Sequence, residues 1–194
     1  MNNDIFIKKE RIQNRRIDVT THEGDGSHVV ICGELLDRRL VSTYSVSGEQ
    51  RPPMTVHHMR IDLKLSLKDR RIAGIRAEMI TTPHADCAEV RKNLTELEGE
   101  CIAPGFTSRV KNLFGGRRGC IHLTTLLLAM APAALQGYWV HNDRVPEKRE
   151  VSGDEMELYL LDSCHVWRRE GPLAQSVAGT LGVNIKKGEP ELKG

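Results

Sequence analysis

The side chains in this sequence that could do chemistry are a dispersed set of cysteines and histidines: His57 or His58, Cys87, Cys120 and His122. Thiolate sulfur and neutral imidazole are the usual protein ligands of zinc and mononuclear iron, and a thiolate is also a nucleophile. Cys87 and Cys120 are placed alike, each at a predicted helix start just after a turn. A helix N-terminus carries partial positive charge and unpaired N–H groups, and both favour the thiolate. Arg117 and Arg118 stand close to Cys120 in the sequence and push the same way. The plainer reading of either cysteine is a buried, inert residue.

His122 lies two residues after Cys120. Side chains at i and i+2 of a helix point roughly 200° apart, so the two share one site only where the turn is not yet helical. The plainer alternative is a histidine that hydrogen-bonds the helix start or a neighbouring carboxylate. His57 and His58 open a predicted strand, and strand neighbours face opposite ways. His58 falls on the polar face with Arg60 and Asp62, whereas His57 is in phase with Met59 and the core series. Because the helices must pack on the core face, His57 is the better placed of the two. Cys164-His165, after Asp162, is a second adjacent pair that either completes the site or is unrelated. His84, three residues before Cys87, reads as a turn histidine, and Cys32 and Cys101 read as structural. The chain holds no repeated CxxC at zinc-finger spacing, no GxSxG, no GxxxxGK[ST] and no GxGxxG after a strand.

The elements that must position these residues follow from periodicity. Residues 16–21 alternate as a half-buried strand, residues 22–27 read as a turn with Gly24 and Gly26, and residues 28–36 return, with Gly33 as a bulge. Residues 44–53 read as a loop. Residues 58–67 alternate strictly, with Met59, Ile61, Leu63, Leu65 and Leu67 on one face. Lys68-Asp69-Arg70 makes a turn, and residues 71–80 alternate again with a phase slip near Gly74. A helix is predicted over 87–97, capped by Asp86 and stopped by Gly99. A short amphipathic helix is predicted over 106–114, and a long apolar one over 120–139 that Pro132 kinks or restarts. Residues 155–167 fit either a strand or a helix. Strands first and helices after them predict an α+β fold, an antiparallel sheet packed against C-terminal helices. We read residues 1–185 as a single domain and residues 186–194 as a flexible tail.

Composition bounds the function classes. The chain has 194 residues, 39% hydrophobic and 28% charged, enough for a packed core. Only 4% are aromatic, which argues against a base-stacking nucleic-acid surface. Net charge is +2 and the arginine pairs are scattered, so no polyanionic partner is implied. No signal peptide is visible, and the run from Leu126 to Leu135 is short against the ~20 residues of a membrane span. These features predict a cytoplasmic protein without a membrane or nucleic-acid partner, whose five cysteines are thiols or ligands.

Two resemblances follow. The residues His58-Met59, Thr82-Pro83, Cys87, Leu97-x-Gly99, Gly105, the string Arg118-Gly119-Cys120-Ile121-His122-Leu123-Thr124, and later Asp162-Ser163-Cys164-His165 resemble a bacterial family known as domain of unknown function 2889. Gly-Cys-x-His-Leu-Thr is the most specific part, and no activity comes with the likeness. Second, a hairpin, a cysteine at a helix start, Leu-x-x-Leu-x-Gly and a cysteine opening a long apolar helix are similar to the U-type iron–sulfur scaffold and zinc sulfur-acceptor proteins. That likeness implies an iron–sulfur scaffold-like fold and one shared site on Cys87, Cys120 and a position near His57-His58. The family has Cys-Gly-Asp at that last position, so one thiolate is missing here, and two sulfurs with one or two imidazoles suit zinc or iron.

Three functions are consistent with these readings. The first is a zinc- or iron-binding protein with a Cys/His site, active in sulfur or iron–sulfur handling with a sulfur donor or small molecule as partner and Cys120 as its reactive thiolate. The second is a small-molecule enzyme using a metal-bound water or a reactive cysteine, with Asp62, Glu78 and Asp86 as available acids. The third is a structural or partner-binding module in which these residues only pack.

Overall fold

The computed structural model describes residues 6–144 and 151–185; the tail expected from residue 186 lies outside them. Contacts divide the chain into two compact units. The first runs to Ile102 and from Phe106 to His141; the second takes Ala103–Gly105 and the chain from Asn142 onward.

The first unit is built on strands. β1 (Gln13–Glu23), β2 (His28–Arg39), β5 (Met54–Ser66) and β6 (Ile72–Thr81) form one antiparallel sheet in the order β1-β2-β5-β6. The alternation in β5 has the expected consequence: Met59, Ile61, Leu63 and Leu65 are all but inaccessible to solvent. Each such side chain contributes about 1.5–3 kcal/mol relative to an exposed position. Arg70 closes the β5–β6 turn in the left-handed region, φ 57°, and the ladder slips between Lys64 and Leu65, next to Gly74.

Between β2 and β5, where a loop was expected, β3 (Thr43–Tyr44) and β4 (Gln50–Arg51) pair as a small separate hairpin. Past β6, Ala85–Leu97 coils as 3-10 turns rather than an α-helix. Its capping position is His84, without a side-chain hydrogen bond, so Asp86 lies inside the first turn instead of capping it.

α1 (Phe106–Phe114) coincides with the predicted amphipathic helix, and 3-10 turn Gly116–Arg118 leads into α2 (Ile121–Asn142). α2 is continuous through Pro132, which lies on an exposed position. There the missing N–H costs only one backbone bond and the ring meets no packed neighbour across a core. At 22 residues α2 is longer than the apolar run suggested, and by length and composition it could cross a membrane. Its Leu123, Leu126, Leu127, Met130, Ala131, Ala134 and Tyr138 belong to the same core as the sheet residues.

Gly33 makes that packing close. A Cβ there would lie 2.5 Å from the Met130 sulfur and 3.1 Å from Leu126 Cδ1. Gly33 is therefore a point of helix approach, not the bulge expected from the sequence; the β2–β5 irregularity falls between Asp37 and Arg38, where Val56 is the extra residue.

The second unit contains α3 (Gly153–Tyr159) and α4 (Pro172–Leu181) around Met156, Leu161, Ala174 and Ala178. Of residues 155–167, left open between strand and helix, α3 takes those up to Tyr159 and the rest are turns and bends. Ser152 accepts the Glu155 N–H at 3.1 Å, a cap that a strand could not use. α4 was not anticipated, although Pro172 in its first turn and Gly182 at φ 67° after its end are ordinary boundary signals. Antiparallel sheet first and helices after it make the protein α+β.

Candidate metal site

Register alone builds most of the site. Arg15 of β1, Asp37 of β2 and His57 of β5 are successive cross-strand partners. They share the face of Leu35, Met59 and Ile61, the face that α2 covers. The fourth member, His122, enters from above on the first turn of α2.

Asp37 is the centre of the group. Its side chain is only 8% exposed. Arg15 Nε donates to Oδ1 and Nη2 to Oδ2, both at 2.7 Å. This two-pronged contact holds the Asp37 carboxyl below its ordinary pKa and raises that of Arg15. His57 Nδ1 lies 3.2 Å and His122 Nε2 3.5 Å from the same Oδ2. The two imidazoles stack, with ring centroids 3.7 Å apart and planes 28° off parallel. Burial, then the neighbouring His57 and Arg15, lower the pKa of His122, so at neutral pH it is the unprotonated ligand form. One donor atom from each of Asp37, His57 and His122 lies within 4.8 Å of the others.

The Gly-Cys-x-His-Leu-Thr string explains how His122 is delivered. A Cβ on Gly119 would lie 2.5 Å from the Phe114 carbonyl, so the chain can turn tightly past the end of α1. Cys120 precedes α2, and its carbonyl accepts the Thr124 N–H at 2.9 Å. The buried Thr124 hydroxyl donates to Phe114 O at 3.2 Å, locking the first turn to α1. Because Cys120 is outside the helix, its Sγ can reach His122 Nδ1 at 3.7 Å. The i, i+2 pair therefore meets, as the sequence allowed, but on the ring nitrogen facing away from Asp37.

The other expected positions separate. His58 points to the opposite face of the sheet, where Nε2 lies 2.8 Å from Glu34 Oε1. Cys87 sits in the 3-10 segment, its N–H bonded to His84 O, and is not a member of the group. Cys164 and His165 belong to the second unit. Asp37 and Arg15 were missed from the sequence. The signal was available in principle: an acid in the returning strand, in phase with Leu35, would sit beside His57 once the register was known.

The fold and this group define an α+β protein with a histidine-and-carboxylate cluster on the covered face of its sheet. The chain belongs to the family described as protein of unknown function (DUF2889), whose model matches residues 13–136. The matched span runs from β1 through most of α2 and contains Arg15, Asp37, His57, Cys120 and His122. No curated protein and no solved structure matches the chain, so the likeness to iron–sulfur scaffold and zinc sulfur-acceptor proteins gains no support.

Proposed function

We propose that this protein binds one divalent transition-metal ion, zinc or iron(II), through Asp37, His57 and His122. One observation carries the reading: two imidazole nitrogens and a carboxylate oxygen from three separate elements converge at 3.2 and 3.5 Å. Charge-assisted N–H···O⁻ bonds are shorter, about 2.7–2.9 Å. Donors that each lie about 2.0–2.1 Å from one tetrahedral ion are instead about 3.3 Å apart. Two imidazoles and one carboxylate suit zinc or iron(II), and a three-ligand protein set leaves coordination positions open, as in catalytic rather than structural sites. Arg15 and Cys120 then act as outer partners, Arg15 fixing the carboxylate and Cys120 the His122 ring through Nδ1. When bound, such an ion supplies Lewis-acid or water-activating chemistry to a small molecule. The proposal keeps the protein in the cytoplasm, where its five thiols stay reduced.

The test is elemental analysis of the full chain, purified without an affinity tag and without oxygen. About one zinc or iron per chain is expected, lost in His122→Ala. Metal-free wild type after incubation with either ion would end the proposal. A second reading, a thiol enzyme, rests on the Cys120–His122 contact: a metal-free protein whose Cys120 reacts with iodoacetamide much faster than the other thiols, and slows in His122→Ala, would favour it by showing an activated thiolate.

A further inference from the structure

The charge of the site differs before and after it takes an ion. Asp37 and Arg15 cancel, and imidazole binds a metal in its neutral form, so His57 and His122 add nothing once an ion is held. A divalent ion therefore brings two uncompensated positive charges to a place where Asp37, His57 and His122 side chains are 8%, 15% and 18% exposed. Asp37 is the one acid in the group of donor atoms that converge there. Glu34, the nearest acid in β2, turns to the other face and pairs with His58 and Arg16. Excess positive charge in a partly desolvated site is costly unless an anion joins it.

Arg15 is built to hold that anion. A guanidinium has five N–H donors, and Asp37 takes one from Nε and one from Nη2. Of the three that remain, two lie along the Nη1–Nη2 edge, on a side chain 40% exposed. That edge matches the spacing of two oxygens in a carboxylate or phosphate group.

We infer that the metal-loaded site takes a small oxyanion as its ligand, a carboxylate or phosphate group bridging the open face of the ion and the free edge of Arg15. The inference rests on the metal reading and names the substrate class of the same site.

The experiment uses the full chain loaded with cobalt(II), whose visible absorption reports changes in its ligands. Acetate, methylphosphonate and chloride are titrated in turn. Saturable spectral change with acetate or methylphosphonate, at least about tenfold tighter than with chloride, is expected from the added charge-assisted hydrogen bonds; the tighter of the two identifies the group. In Arg15→Lys and Arg15→Met, titrated at a cobalt concentration raised to offset the weaker hold on Asp37, that preference shrinks about tenfold. Should both variants lose cobalt, the wild-type comparison decides alone. Cobalt bound in the wild type with no saturable response, or oxyanion binding no tighter than chloride, overturns the inference and leaves the metal site standing. Failure of the wild type to take cobalt removes the metal reading itself.

Discussion

The two faces of the sheet carry nearly the same polar parts and use them differently. On the covered face Arg15, Asp37 and His57 stand in one cross-strand row. On the open face Arg16, Glu34 and His58 assemble the same arginine, acid and histidine one residue out of phase. On the open face the histidine finds its carboxylate at 2.8 Å, and Arg16 reaches the other oxygen at 3.3 Å. It is a partly solvated ion-pair cluster in which each carboxylate oxygen has its own partner. On the covered face the shorter Asp37 cannot meet each partner separately, and α2 adds a second imidazole, so two nitrogens are left converging on one oxygen. A single step of strand phase, together with a helix overhead, separates a surface salt bridge from a site.

The strongest way to break the comparison is to neutralise each acid. Asp37→Asn should abolish metal uptake and, by leaving Arg15 without its carboxylate, lower stability in urea by about 1–2 kcal/mol, a modest figure because Arg15 is screened by solvent. Glu34→Gln should keep the metal and cost less than about 1 kcal/mol. Equal effects on metal content would mean that the faces are not functionally distinct. The adjacent histidines give a similar contrast: His57→Ala should lower metal content to near background, while His58→Ala leaves it at the wild-type level. If His58→Ala were the variant that lost metal, the site would have to lie on the open face.

Glycines sharpen the comparison through packing. Gly33→Ala puts a methyl against Met130 and Leu126 in the core and should destabilise by about 1–3 kcal/mol. Gly74→Ala on the open face meets nothing within 4 Å. It should be neutral or stabilise by up to about 1 kcal/mol, since it restricts the unfolded chain. Urea midpoints for both variants check this, and a destabilised Gly74→Ala would mean that the open face is covered.

How much of this was legible in the sequence depends on whether a feature is local. The hairpin of β5 and β6 could be read because alternation is a property of consecutive residues, and α1 because its apolar positions and the Gly115-Gly116 stop lie within a few residues. His57 was placed on the correct face by phase alone. His122 was found beside Cys120, but its true partner was not. Asp37 is 20 residues from His57 and 85 from His122, and only the pairing of β2 with β5 and the lie of α2 bring them together. Cys87 and Cys120 shared a helix-start signature, yet the first opens 3-10 turns outside the group. Helix-start chemistry tunes a thiol without saying what it faces. The extent of α2 was read to within three residues, but a kink or restart was expected at Pro132, a strong local signal that the packing of Leu126, Met130 and Ala134 overrides.

The smallest expected difference is in acid. His58 and Arg16 hold the Glu34 carboxyl below its ordinary pKa, the His58 hydrogen bond contributing most. A carboxyl with a depressed folded pKa binds its proton less readily in the folded chain. Its contribution is complete above the unfolded pKa, about 4.3, and is lost as pH falls through the folded value. Unfolding followed by tryptophan fluorescence from pH 6 downward should therefore show wild type and Glu34→Gln differing at the upper end and converging in acid, by less than about 1 kcal/mol in all. Asp37, depressed chiefly by Arg15, has the same sign, so Asp37→Asn should converge with wild type in the same direction. A gap for Glu34→Gln that widens in acid would mean that Glu34 is destabilised by its surroundings. The open face would then be strained rather than paired, and the contrast between the two faces would need another cause.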